Sequence, residues 1–64
     1  MEDIRYRPVV YLRSGQKIES GATNMKSAAV QEAQMIFDQR MRIAQVAGSD
    51  YIAPTRWDVE EVRN

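Results

Sequence analysis

From Ala22 to Ala47 the chain holds neither glycine nor proline, and a glycine stands at each end of that stretch, Gly21 and Gly48. Such a segment has few options besides helix. Thr23 or Asn24 can cap it, since either side chain accepts a bond from an orphan amide, and Gly48 can end it. Ala28, Ala29, Ala33, Met35, Met41 and Ala44 favour or tolerate helix. At 100° per residue, Met25, Ala29, Ala33, Ile36, Ile43, Ala44 and Ala47 share one face. Val30, Phe37 and Met41 widen it on one side, and Ala28, Met35 and Val46 on the other. Only Ser27, Gln31, Gln34, Asp38, Arg42 and Gln45 form a polar sector. A helix packed on one sheet needs an apolar stripe of about 100°, and this one is wider.

The preceding residues read as a hairpin. Ile4, Tyr6, Val10 and Leu12 share even parity in a run rich in branched and aromatic residues, so residues 4–12 are a strand. Pro8 cannot donate to a ladder, which makes this strand an edge or delays its pairing until after Pro8. Residues 16–20 form a short second strand. A two-residue loop at Ser14-Gly15 would set Ile18 opposite Tyr11. A three-residue loop, Arg13-Ser14-Gly15, sets Ile18 opposite Val10 and gives Gly15 the positive φ of a bulged turn. The second register gathers the apolar residues on one side and is preferred.

The helix is long for this hairpin. Its roughly 23 residues span about 35 Å, against about 17 Å for a five-residue strand. The excess is expected to break near Asp38–Arg42, pack on the C-terminal segment, or meet another chain. Gly48-Ser49-Asp50 is a turn. Residues 57–64 read as a strand with Trp57 and Val59 on one face, because a hairpin needs a third strand to be stable. A helix capped by Thr55 is the competing reading.

These elements make one small α+β domain over residues 1–64: a β-hairpin, one long helix and a C-terminal strand (ββαβ), with the helix packed on a small antiparallel sheet. The expected core is Tyr6, Val10, Leu12, Ile18, Ala29, Ala33, Ile36, Phe37, Trp57 and Val59. A domain near 60 residues buries only about 60% of the surface its unfolded chain exposes. With no cysteine, it has no disulfide to add stability.

Composition narrows the function. Nine Lys plus Arg balance nine Asp plus Glu, and there is no His. Zero net charge disfavours non-specific attraction to nucleic acid or anionic membrane, and no apolar run approaches a membrane span. Met1-Glu2-Asp3-Ile4-Arg5 lacks the basic start and apolar core of a signal peptide. With no cysteine, this fits a reducing cytoplasm. The serines have no histidine to activate them, and the isolated glycines form no phosphate loop. Asp58, Glu60 and Glu61 could join Glu2 or Asp3 around a hard cation, but no EF-hand spacing exists. The expectation is therefore a non-enzymatic protein with no cofactor and no metal.

Two surfaces remain. Arg5, Arg7, Val9, Tyr11 and Lys17 share the odd face of the hairpin. They could contact a protein, or track a nucleic-acid backbone and stack a base. Val30, Met35 and Met41, with Met25 and Phe37, give the helix more soft apolar surface than one sheet can cover, which points to self-association as a homodimer.

The order of elements, the segment Ala22-Thr23-Asn24-Met25-Lys26-Ser27-Ala28 and the tail Trp57-Asp58-Val59-Glu60-Glu61-Val62-Arg63-Asn64 resemble the small host-RNA-polymerase inhibitors of podoviruses. The first segment is similar to that family's capped helix start, and the tail to its final strand. The resemblance implies a phage accessory protein acting in the host cytoplasm on a protein such as RNA polymerase. Final-strand basic residues would grip the polymerase, and Arg63 matches one of them. Glu61 stands where the family pattern has a second arginine, a reversal of charge. The expected partner contacts are Arg5, Arg7, Tyr11 and Lys17 from the basic hairpin face, with Arg63 from the resemblance, and the alternative is a nucleic-acid regulator using the basic hairpin face.

Overall fold

The structure, a computed structural model, describes residues 3–63. Strand β1 (Ile4–Leu12) turns into β2 (Lys17–Glu19), helix α1 (Lys26–Ala47) follows, and a 3-10 turn (Asp50–Ile52) leads into β3 (Pro54–Arg63). The fold is α+β: one antiparallel sheet ordered β2-β1-β3, with one helix packed on it.

The hairpin takes the three-residue loop. Val10 faces Ile18, Leu12 and Gln16 close the turn at 2.9 Å, and Gly15 has φ +94°. On the other side of β1, Val10 faces Trp57 and Pro8 faces Val59. Ile18, Val10 and Trp57 thus form one row on the helix-facing side. The C-terminal segment is a strand, as its aromatic and branched residues favour. Near its start the register shifts by one residue, and the Thr55 hydroxyl donates to the Tyr11 carbonyl at 3.2 Å.

Three expectations are corrected. First, β1 is the central strand and not an edge; the other reading of Pro8 holds on one side only, where the β2 ladder pairs Val9, Val10 and Tyr11. Its even residues bond toward β2: Leu12 to Gln16, Tyr6 to Thr23, and the Pro8 carbonyl to the Ser20 amide at 3.1 Å. The donor that Pro8 lacks would also point that way, where β2 has already ended at Glu19. Pairing with β3 uses the odd residues, so proline costs that ladder nothing.

Second, neither Thr23 nor Asn24 is the cap. Met25 occupies that position with no side-chain cap bond. The Thr23 backbone is taken by its bridge to Tyr6, and its hydroxyl reaches only the Met25 amide, at 3.5 Å. The other end is as expected. Gly48 at φ +66° closes a Schellman motif, with Ser49 N–H to Ala44 O at 3.1 Å and Gly48 N–H to Gln45 O at 3.2 Å.

Third, the break near Asp38–Arg42 does not occur: α1 is unbroken, and its excess length packs on the C-terminal segment, one of the expected alternatives, so that it lies along β1 and β3, which match its length where β2 does not. The buried side of α1 is Ala29, Ala33 and Ala44, flanked by half-buried Val30, Ile36, Phe37 and Met41. Small side chains bring the helix close to the sheet. Met25, Ile43 and Ala47, expected on the core face, are exposed: Met25 and Ile43 lie just outside that arc, and Ala47 lies within it but is the last residue of the helix.

The core is thin. Val9, Val10 and Pro8 are the largest fully buried side chains. Tyr6, Ile18, Ile36, Phe37, Trp57 and Val59 are only half-buried, while Val9, Pro8, Ala44 and Pro54 join the buried set. The radius of gyration is 12.9 Å, against about 11 Å for a compact chain of this length. One sheet and one helix leave Met25, Met35, Ile43, Val46 and Tyr51 exposed.

Candidate protein interface

The open face of the sheet is a lattice of ion pairs. Arg5, Arg7, Tyr11 and Lys17 lie together on it, as their shared parity requires. Arg63 does not join them: it faces Ile4 and so lies on the helix side, bonded to Glu61 at 3.2 Å. Lys17 on β2 reaches Glu60 on β3 at 2.7 Å and Glu19 at 3.3 Å. Arg7 pairs with Glu19 at 3.8 Å, Arg56 with Asp58 at 3.8 Å, and Arg5 with Asp3 at 3.3 Å. The Arg56 guanidinium stacks 3.9 Å from the Tyr11 ring centre, and the Lys17 ammonium lies 5.8 Å from it. A face that is basic in the hairpin alone is neutralised by β3, and its aromatic ring already holds a cation.

The Lys17–Glu60 pair has a second effect. The two residues sit on the outer strands, so their bond crosses the central strand over Val9. Val9 lies on the solvent side by parity, yet its exposure is 0%. Sequence parity places it outside, and the Lys17–Glu60 bond, between side chains on opposite edges and 43 residues apart in sequence, passes over its position.

The bond to Glu60 raises the Lys17 pKa above its ordinary 10.5, against a smaller opposing effect of desolvation, with Glu19 adding to the rise. A raised folded-state pKa stabilises the fold fully at neutral pH, and the gain is lost as pH climbs through the raised value. Lys17→Met keeps the stem over Val9 and removes the charge. It is expected to lower the urea midpoint slightly at about pH 8, with the gap to wild type closing above 10.5. A gap unchanged across that range would show that the charge contributes nothing.

Helix α1 presents the opposite picture. Among the described residues its Lys26, Glu32, Asp38, Arg40 and Arg42 form no ion pair, although Asp38 and Arg42 are spaced for one. Its first turn has no acid and its last turn no base, so the helix dipole is uncompensated. Met35 is 70% exposed, Val46 90% and Ile43 47%. Two surface hollows follow this side, one along Glu32, Met35, Ile36, Gln39 and Arg42, the next along Arg42, Ile43, Val46 and Ala47. Of the three residues expected to drive self-association, Met35 is on this outward side. Val30 and Met41 are half-buried toward the sheet.

No family model, curated protein or solved structure matches the chain. No described group of three or more acidic residues is placed to hold a metal ion, and Glu2 lies outside the described residues. Asn64, the last residue of the tail motif, lies outside them too. No described helix is long and apolar enough to cross a membrane.

Ala28, Glu32, Met35, Gln39, Arg42 and Val46 are spaced four and three apart, the heptad seam of a coiled coil. Three of the six are polar or charged, so a search for apolar stripes passes over the seam. Its signal in the sequence was Met35 and Val46 at seam spacing with Glu32 and Arg42 on the same seam.

Proposed function

We propose that the protein is a non-enzymatic protein-binding module and that the outward seam of α1 is its contact surface, accepting an amphipathic helix. One observation carries this reading: Met35 and Val46 stand exposed along a heptad, with Ile43 exposed beside it and the heptad's charges unpaired among the described residues, while the sheet's charges are engaged. Helix-in-groove recognition uses such a row of anchors. The mechanism is steric occlusion or remodelling of the bound protein. The resemblance to podovirus inhibitors makes host RNA polymerase the first foreign partner to try, with action in the host cytoplasm.

The experiment is a pull-down. Tagged protein is mixed with bacterial lysate containing the untagged chain, with nuclease added and washes at moderate and high salt. A protein retained through both treatments, and lost with Met35→Glu/Val46→Glu, is expected. Both positions are exposed, so the variant should keep its fold to within about 1 kcal/mol. Recovery of nucleic acid alone, released by salt, would sink the reading and promote the basic hairpin face.

A further inference from the structure

We infer that the helix received by α1 is α1 of a second copy of this chain, running antiparallel. The inference rests on the reading of α1 as a protein-binding surface and names its occupant. An antiparallel coiled coil layers the two kinds of seam position against each other. Align two α1 helices antiparallel about Phe37, close to the midpoint of Lys26–Ala47. Ala28 then meets Val46 of the second copy, Glu32 meets Arg42, and Met35 meets Gln39, each layer occurring twice by symmetry. The overlap uses the whole helix, about 27 Å from Ala28 to Val46.

This alignment resolves what the protomer leaves open. Glu32 and Arg42 have no ion-pair partner among the described residues of the chain, and the symmetric alignment supplies each with the other. Glu32 is held in place, because the Ser20 hydroxyl donates to its Oε1 at 2.7 Å. Its other oxygen can accept the incoming guanidinium. Large side chains also meet small or unbranched ones: Val46 over Ala28, and Met35 beside Gln39. A parallel pairing would instead set Glu32 against Glu32 and Arg42 against Arg42. The seam runs along a flank of α1: Ala28 and Glu32 are half-buried, with Glu32 bonded to Ser20 just past β2, while Met35, Gln39, Arg42 and Val46 are exposed.

The test is a charge swap read by sedimentation at about 100 µM. Wild type is expected as a dimer. Glu32→Arg alone and Arg42→Glu alone place like charges in two layers, so each should raise the dimer Kd roughly tenfold or more. An equimolar mixture of the two variants should dimerise again. In the mixed pair the arginine introduced at position 32 of one copy faces the glutamate introduced at position 42 of the other, and the native Glu32 and Arg42 meet in the second layer. If either variant fails to fold by circular dichroism, a cysteine pair gives the second measurement. The chain has no native cysteine. Oxidised Ala28→Cys/Val46→Cys should give a covalent dimer, and Val46→Cys alone should not. Wild type found monomeric, single variants that dimerise as wild type does, or a covalent dimer from Val46→Cys alone would each overturn the inference. A monomer that still captures a different protein through Met35 and Val46 overturns only the second-copy occupant. A monomer that captures none overturns the protein-binding reading as well.

Discussion

Val9→Asp is expected to leave the protein unfolded at neutral pH and 25 °C, although Val9 sits on the face of the sheet turned away from the helix. Its side chain is fully buried beneath the Lys17–Glu60 pair, with Glu19 and Asp58 as its direct cross-strand neighbours. A carboxylate placed there is desolvated and faces Glu19 and Asp58 on the two neighbouring strands, and it can reach Lys17 only by competing with the Glu60 and Glu19 carboxylates that already hold that ammonium. Removing an ion from water without a dedicated partner costs several kcal/mol, and the total stability of a chain this size is about 3–10 kcal/mol. Val9→Ala should cost about 2 kcal/mol by loss of two buried carbons and the resulting cavity. Arg5→Asp, on the same face but exposed, should change stability by less than about 1 kcal/mol. Far-UV circular dichroism and urea titration of the three separate the cases. A folded Val9→Asp with a near-wild-type midpoint would mean that the ion pair does not close over the strand.

Ala33→Leu should have the second-largest effect, and in the opposite sense, by overfilling. Ala29 and Ala33 both have 0% exposure, and Ala44 has 5%, so the helix meets the sheet through its smallest side chains. Three added carbons at Ala33 have no space to enter without moving α1 away from β1 and β3. Overpacking of this kind typically costs about 1–3 kcal/mol, occasionally more, and the upper end is expected because the half-buried rim of Phe37, Ile36 and Trp57 would lose contact together. Gln34→Leu, one residue along and exposed, adds a comparable apolar group with the same helix preference and should be nearly neutral. Equal urea midpoints for Ala33→Leu and Gln34→Leu would show that the helix is not closely seated.

Both predictions concern features that the sequence reveals unequally. The hairpin register was legible because only the three-residue loop brings Val10, Leu12 and Ile18 to one side, and Gly15 supplied the conformation that loop demands. The helix end was legible from Gly48 for the same reason. The position of β1 was not. Pro8 forbids a bond in one direction only, and the direction follows from the register of a strand that ends before reaching it. The helix start was missed because Thr23 serves the sheet through its backbone, a long-range commitment that outweighs its capping preference. Val9 illustrates the general limit. Period-two patterning assigns a residue to a face, but burial on that face depended on Lys17 and Glu60 meeting across the sheet. The seam on α1 was partly legible: Met35 stood out as apolar excess, whereas Glu32 and Arg42 looked like ordinary solvated charges.

The strand order also governs how the molecule must assemble in time. β1 is made first and lies in the middle, yet its longer neighbour β3 follows some 40 residues later, after the helix. The hairpin and α1 form from local contacts, but the loop closing Leu12 onto Pro54 must be ordered before any of that pairing returns free energy. The hydrogen bonds from Arg13 to Ala53 and from Ser14 to Tyr51, at 2.9 and 3.1 Å, sit at that closing point. They fix the register at the end of the ladder nearest the hairpin turn, and any state lacking β3 leaves the central strand with a bare flank and Val9 without the Glu60 carboxylate beside it.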